Sequence, residues 1–195
     1  MANKIKYGLK NVYYAVATIG TDNTATYGTP VAIPGAVNLS LEPQGELSPF
    51  YADNIEYFVV NSNNGYEGDL EVALIPDSFK KDVLGMVEGG NGILYEDVNA
   101  PVKHFALLFQ FEGDQSARRH VMYNCTAQRP SVAGQTKGES IEPQTESMSI
   151  TARSIYVAAL ETDIVKGSTD DTTGTTVYNG WFDAVTVPTA GGATT

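Results

Sequence analysis

Two histidines, one cysteine and a run of alternating carboxylates are the residues with which this chain could do chemistry. Metal binding or acid–base work needs groups that converge. His104 and His120 lie on opposite arms of what reads as a hairpin turning near Gln115 and Ser116, about seven residues apart along the ladder, or roughly 20 Å at ~3.3 Å per residue. They cannot share a metal. Glu67, Asp69 and Glu71 share one strand face, but Ca²⁺ takes six to eight oxygens from a backbone turned around the ion, which strict alternation does not supply. No GxSxG elbow and no GxGxxG or GxxxxGK cradle is present. Cys125 has no partner for an internal disulfide and reads as a small buried hydrophobe. Tyr51, Tyr57 and Phe58 have the chemistry of a sugar-stacking platform, or of a packing cluster or interface. The sequence therefore asserts no catalytic residue, no cofactor and no metal site, and an enzyme is the least favoured class.

The charge distribution says more. The chain has 195 residues and a net charge of −11, which argues against holding nucleic acid phosphates, a task for clustered Lys and Arg. Between Lys10 and Lys80 there is no basic residue, while Asp22, Glu42, Glu46, Asp53, Glu56, Glu67, Asp69, Glu71 and Asp77 all lie there. Two readings stand: a solvated surface that maintains solubility, or a surface that repels polyanions. No segment approaches the roughly 20 apolar residues that span a bilayer. The N-terminus lacks the apolar stretch and cleavage site of a secretory signal, so synthesis and folding in the cytosol are expected.

These residues must be positioned by strands. Phe105, Leu107, Phe109 and Phe111 alternate, and after GDQSAR the return run alternates again with Val121, Tyr123, Cys125 and Ala127. The stretch from Lys103 to Pro130 thus predicts an antiparallel hairpin whose odd positions are covered by a second sheet, and whose even face is half covered by a helix or a neighbouring subunit. Residues 11–19 form a first strand behind an N-terminal arm, and residues 20–35 a loop. Val37, Leu39 and Leu41 alternate with Asn38, Ser40 and Glu42; Leu70, Val72 and Leu74 point inward with Glu67, Asp69 and Glu71 outward; Met148, Ile150 and Ala152 alternate with Ser147, Ser149 and Thr151. Residues 50–65 project as a long loop or hairpin. The one good helix is predicted over 77–88, capped by Asp77 or Ser78 and stopped by the glycines at 89, 90 and 92, plugging an open end or side of the sandwich. Residues 155–160 continue as a last core strand. The fold class expected is mainly β, an antiparallel sandwich or barrel with one flanking helix. A domain over 1–160 is followed by a C-terminal extension over 161–195 that packs locally or on another subunit.

Several short motifs, in order, resemble the major tail tube proteins of long-tailed bacteriophages, in particular the phi13-type group. They are Lys10-Asn11-Val12-Tyr13-Tyr14, Tyr27-Gly28-Thr29-Pro30, Phe50-Tyr51-Ala52-Asp53-Asn54, Tyr66-Glu67-Gly68, Asp82-Val83-Leu84-Gly85, Phe105-Ala106-Leu107-Leu108-Phe109, and Tyr123-Asn124-Cys125 followed by Arg129-Pro130. Together they span roughly residues 10 to 155. The resemblance implies a structural virion protein of the tail, assembled in the host cytoplasm into stacked hexameric rings. It implies tape-measure, tail-tip and tail-terminator proteins as partners, and DNA that passes without specific binding. On that reading Asn38, Ser40, Glu42, Glu46, Glu67, Asp69, Glu71, Ser147, Ser149 and Thr151 are expected to line the channel. Tyr51, Asp53, Tyr57 and Phe58 are expected to join ring to ring. Two other readings remain open at this point: a secreted or surface β-sandwich that binds glycans or proteins, and the inner tube of a contractile injection machine.

Overall fold

Alternating apolar and polar residues rich in Val, Ile, Tyr and Phe suit pleated, half-buried ladders, and strands make up the larger part of this chain's regular structure. A computed structural model of the chain describes residues 5, 7–114, 116–136, 143–172 and 175–191, with residues 47–52, 56 and 58–61 described by their backbone alone. In chain order the elements are β1 (Leu9–Ile19), β2 (Ala25–Tyr27), β3 (Val31–Ala32), β4 (Ala36–Pro43), β5 (Leu47–Ala52), β6 (Ile55–Asn61) and β7 (Tyr66–Val72), then α1 (Asp77–Asp82). There follow β8 (Met86–Glu88), β9 (Leu94–Glu96), β10 (His104–Phe111), β11 (Arg119–Ala127), β12 (Glu146–Arg153), β13 (Ile155–Val157), β14 (Thr162–Ile164), β15 (Lys166–Thr169) and α2 (Thr175–Asn179).

One antiparallel sheet runs β2-β1-β10-β11-β12-β7-β4, with β3 also on β1 and β15 also on β11. The architecture is mainly β and sandwich-like, as the alternation predicts. β11 is shared: its first half pairs with β15 and its second half with β12. The sheet therefore curls, and β4 comes near β1 without pairing, so no closed barrel forms. Inside the curl lie Tyr14, Phe105, Leu107, Leu70, Val72, Met148 and Ile150, all fully or nearly fully buried. Each such side chain contributes about 1.5–3 kcal/mol on burial. Phe79 of α1 closes one end, its ring edge-on to Tyr14 at 5.0 Å and to Phe105 at 5.4 Å. At the other end Leu39, Leu41, Tyr66, Phe109, Phe111 and Met122 line an open cleft of about 230 Å³.

The parity of β11 departs from the sequence reading. Phe105 pairs with Cys125 but Leu107 pairs with Met122, so β11 carries one extra residue between these points. Such a bulge flips every side chain beyond it to the other face. Cys125 and Ala127 join the core inside the curl, whereas Val121 and Tyr123 turn to a second cluster with Ala106 and Leu108. That second cluster, where a helix or a neighbouring subunit is expected from sequence, has its cover within the chain. Ile155, Val157 and Trp181 of the same chain cover it. Tyr123 donates its hydroxyl to the Thr186 carbonyl at 3.1 Å, and Tyr178 to the Ala117 carbonyl at 2.9 Å. The Arg119 guanidinium donates to the Tyr178 carbonyl and lies 3.8 Å over the Tyr178 ring centre.

Other expectations are corrected locally. The helix predicted over 77–88 ends at Asp82, because Gly85 takes a left-handed φ of +75° and Met86–Glu88 pairs with β9. Its N-cap is Pro76 with no side-chain cap, so neither Asp77 nor Ser78 caps it. Leu74 is exposed, since β7 ends at Val72 and Ile75 takes the buried place, its N–H donated to the Glu146 carboxylate at 2.7 Å. Val37 is exposed because a register shift between Ala36 and Asn38 puts Ala36 on the core side. The loop over 20–35 contributes the short strands β2 and β3.

Burial pushes Tyr14 up to about 12, with the Asp82 carboxylate that accepts its hydroxyl adding to the effect; burial alone pushes Tyr123 to about 12. Burial also raises Tyr27, and raises the Cys125 thiol to about 12. An unfolded chain loses these protons near 9 for Cys and 10 for Tyr. Above that the folded state holds more protons than the unfolded one, so this stability is complete below about pH 9 and is lost as pH rises toward 12. Denaturation followed against pH should show that decline, with Cys125 unreactive toward a thiol reagent at pH 8 until the chain unfolds; rapid labelling of the native protein would contradict this burial.

Candidate functional site

The strand registers convert three sequence runs into one surface. On β7, Leu70 and Val72 enter the core, which turns Glu67, Asp69 and Glu71 to the opposite face. On β12, Met148, Ile150 and Ala152 enter the core, which turns Ser147, Ser149 and Thr151 outward. On β4, Leu39 and Leu41 pack on the core and Asn38, Ser40 and Glu42 face out. Cross-strand pairing then aligns them in three rows: Asn38 with Glu71 and Ser147, Ser40 with Asp69 and Ser149, Glu42 with Glu67 and Thr151. Nine of the ten residues proposed for the channel wall thus share one face. Glu46 does not join them, because it lies beyond Pro43 in the stem of the hairpin, its N–H donated to the Ser62 hydroxyl at 2.9 Å.

The face has its own electrostatics. Ser149 donates to Asp69 at 2.7 Å and Thr145 to Glu71 at 2.6 Å. Among the described residues no Lys or Arg forms an ion pair with Glu42, Glu67, Asp69 or Glu71. The wall expected from sequence leaves out two residues of the same parity, Thr126, which pairs with Thr151, and Arg153, whose guanidinium donates to the Asn64 carbonyl. Arg153 was legible as the next step of the β12 alternation, and Thr126 needed the β11 bulge to be known. Glu42 and Glu67 are direct cross-strand partners, two like charges opposite each other.

The second element is a hairpin continuous with this face. Beyond Pro43 and Tyr66 the ladder runs on through Gln44 and Gly65, then Glu46 and Ser62, into β5 and β6. It closes at Asp53-Asn54, whose φ values of 52° and 64° fit a two-residue type I′ turn. β5 and β6 form a two-stranded sheet of their own. About nine residues per arm beyond the main sheet reach roughly 30 Å at ~3.3 Å per residue. Asp53 is exposed, and Tyr57 is 72% exposed near the tip. The side chains of Tyr51 and Phe58 lie outside the described residues.

Among the described residues no cluster of His, Cys, Asp and Glu could hold a metal ion. No helix is long and apolar enough to cross a membrane. What the geometry provides is an anionic, hydroxyl-rich sheet face and an arm that extends from it. A family model described as phage tail tube protein matches residues 2–181. The chain belongs to that family, and is a structural protein of the phage tail that assembles as an oligomer with other tail components in the virion. No curated protein matches the chain.

Like charges placed directly opposite on a ladder destabilise it, and Glu42 and Glu67 are so placed. Glu67→Gln should raise the unfolding free energy of the isolated subunit by about 0.2–1 kcal/mol at low salt, with the gain shrinking as salt screens the pair. Urea titration of both forms measures this, and a loss of stability would show that the carboxylate has a supporting partner.

Proposed function

We propose that the subunits form hexameric rings stacked into a tube, with the face of β4, β7 and β12 turned to the channel. The observation that carries this reading is the three-row surface, which gathers four carboxylates that form no ion pair among the described residues and is hydroxyl-rich between them. A wall of Lys and Arg would hold duplex DNA by releasing its counterions, and a held duplex leaves slowly. A wall of carboxylates and hydroxyls repels or ignores the phosphates, so the genome slides. The task is passive conduction and involves no catalysis, cofactor or metal. Assembly takes place in the host cytoplasm, with a tape-measure protein within the growing tube and tail-tip and tail-terminator proteins at its ends.

Replacing Glu67, Asp69 and Glu71 together by Lys reverses the sign of the middle strand without touching the core side. Tubes of normal diameter are expected, with infectivity reduced at least tenfold and DNA retained in adsorbed particles. Infectivity at the unsubstituted level would remove this face from the channel.

In the same reading the β5–β6 hairpin joins one ring to the next, with Asp53 and Tyr57 at its described tip and Tyr51 and Phe58 as further anchors. Replacing residues 47–61 by a short turn should leave a folded subunit that does not polymerise. Normal tubes in negative-stain micrographs of that variant would rule the hairpin out as the joint.

A further inference from the structure

The ladder that carries the acidic face out into the projecting hairpin is interrupted once. Pro43 pairs with Tyr66 and Leu47 pairs with Asn61. Between these rungs the outgoing arm has three residues, 44 to 46, and the return arm has four, 62 to 65, so the return arm carries one extra. The surplus falls where Gln44 faces two partners. Its N–H is donated to the Gly65 carbonyl at 2.8 Å, and its carbonyl accepts the Asn64 N–H at 2.8 Å. An added residue in one arm of an antiparallel pair bends that arm and increases its twist, so the angle at which the hairpin leaves the sheet is set here.

Two features hold this bend against the body. Gly65 is buried with a φ of +96°, and a Cβ there would strike the Ala152 carbonyl oxygen of β12, so glycine is what lets the return arm lie so close. The Gly65 N–H is donated to the Asn63 side chain at 3.1 Å, which closes a local turn. Beside it Arg153, the last residue of β12, donates from its guanidinium to the Asn64 carbonyl. Arg153 is the one Lys or Arg in β4, β7 and β12, and among the described residues it forms no ion pair.

We infer that Arg153 is a positioning residue, a clamp that together with Gly65 fixes the direction in which the β5–β6 hairpin leaves the sheet. The pairing of β7 with β12 ends at the Tyr66–Ala152 rung, and beyond it the hairpin is a ribbon of two strands. Such a ribbon is marginal by itself. The two bonds of Gln44 join one arm of the ribbon to the other and move with it, whereas the Arg153 bond ties the elbow to a third strand. Leverage makes that tie matter, because a tilt of about 10° at the elbow displaces a tip roughly 30 Å away by about 5 Å. The inference rests on the reading of the hairpin as the joint between rings, and adds what aims it. It also gives the one base of these three strands a task other than holding phosphate.

Cys125 is buried, so spin labels can be placed selectively at Tyr57→Cys near the tip and at Leu74→Cys beyond the far end of β7, both exposed positions. In the full chain, kept below the concentration at which tubes form, pulsed electron double resonance should give one narrow tip-to-body distance distribution. Adding Arg153→Ala, at an exposed position, should leave the far-UV spectrum unchanged and widen that distribution about twofold or more, since the ribbon loses its tie to the body. Arg153→Lys, which keeps a donor, should restore the parent width. Without labels, Arg153→Ala should raise the concentration needed for tubes by about threefold to tenfold, the weight of one hydrogen bond. An Arg153→Ala distribution that superimposes on the parent's, or an Arg153→Lys distribution as wide as that of Arg153→Ala, would overturn the clamp. A widened distribution with tubes at the parent concentration would uphold the clamp and overturn the hairpin as the joint, so the two failures are separable.

Discussion

The fold turns on one strand that serves two partners. β11 gives its first half to β15 and its second half to β12, and an inserted residue between the halves exchanges the faces of its side chains. Without that exchange Tyr123 and Cys125 would compete for one core. With it, Cys125 closes the cluster inside the curl and Tyr123 anchors the second cluster beneath the C-terminal segment. Both layers of hydrophobic burial, and the curl that brings β4 near β1, follow from this local irregularity.

The polar face depends on the same curl from the other side. Because Leu70, Met148 and Leu39 are committed to the interior, the alternate residues of β7, β12 and β4 have nowhere to go but outward, and pairing sets them in rows. Acidic side chains on such a surface add little to the subunit's own stability and, at Glu42 and Glu67, oppose it. In the reading proposed above, such a surface serves the tube rather than the single subunit.

Much of this was legible in the chain. Clean alternation in β4, β7, β10 and β12 located those strands and the outward positions of Glu67, Asp69, Glu71, Ser147, Ser149 and Thr151, because a period of two leaves no other choice once one face is apolar. The Asp53-Asn54 turn was hidden because neither residue is glycine, although both tolerate positive φ. The bulge in β11 was invisible because Val121, Tyr123, Cys125 and Ala127 keep an unbroken odd-numbered alternation, and Met122, apolar as well, suits either face. The helix was overestimated for a related reason. Val83, Leu84 and Val87 keep a near-helical spacing, but Gly85 ends α1 early and only Val83 and Leu84 stay buried. The cover over Ala106, Leu108 and Tyr123 came from Trp181 and its neighbours, a segment too sparse in apolar residues to be read as core from composition.

The hairpin has a mechanical consequence. The two chain segments that bear the acidic rows are the same two that run out to the Asp53-Asn54 turn, joined rung by rung along the way. Rungs in an antiparallel ladder lie across the strand axis. A pull on one arm along that axis therefore loads many rungs in parallel, as in a lap joint under shear, and none can be unzipped singly. Tension at the tip reaches the body of the sheet through the backbone bonds of Gln44 with Asn64 and Gly65.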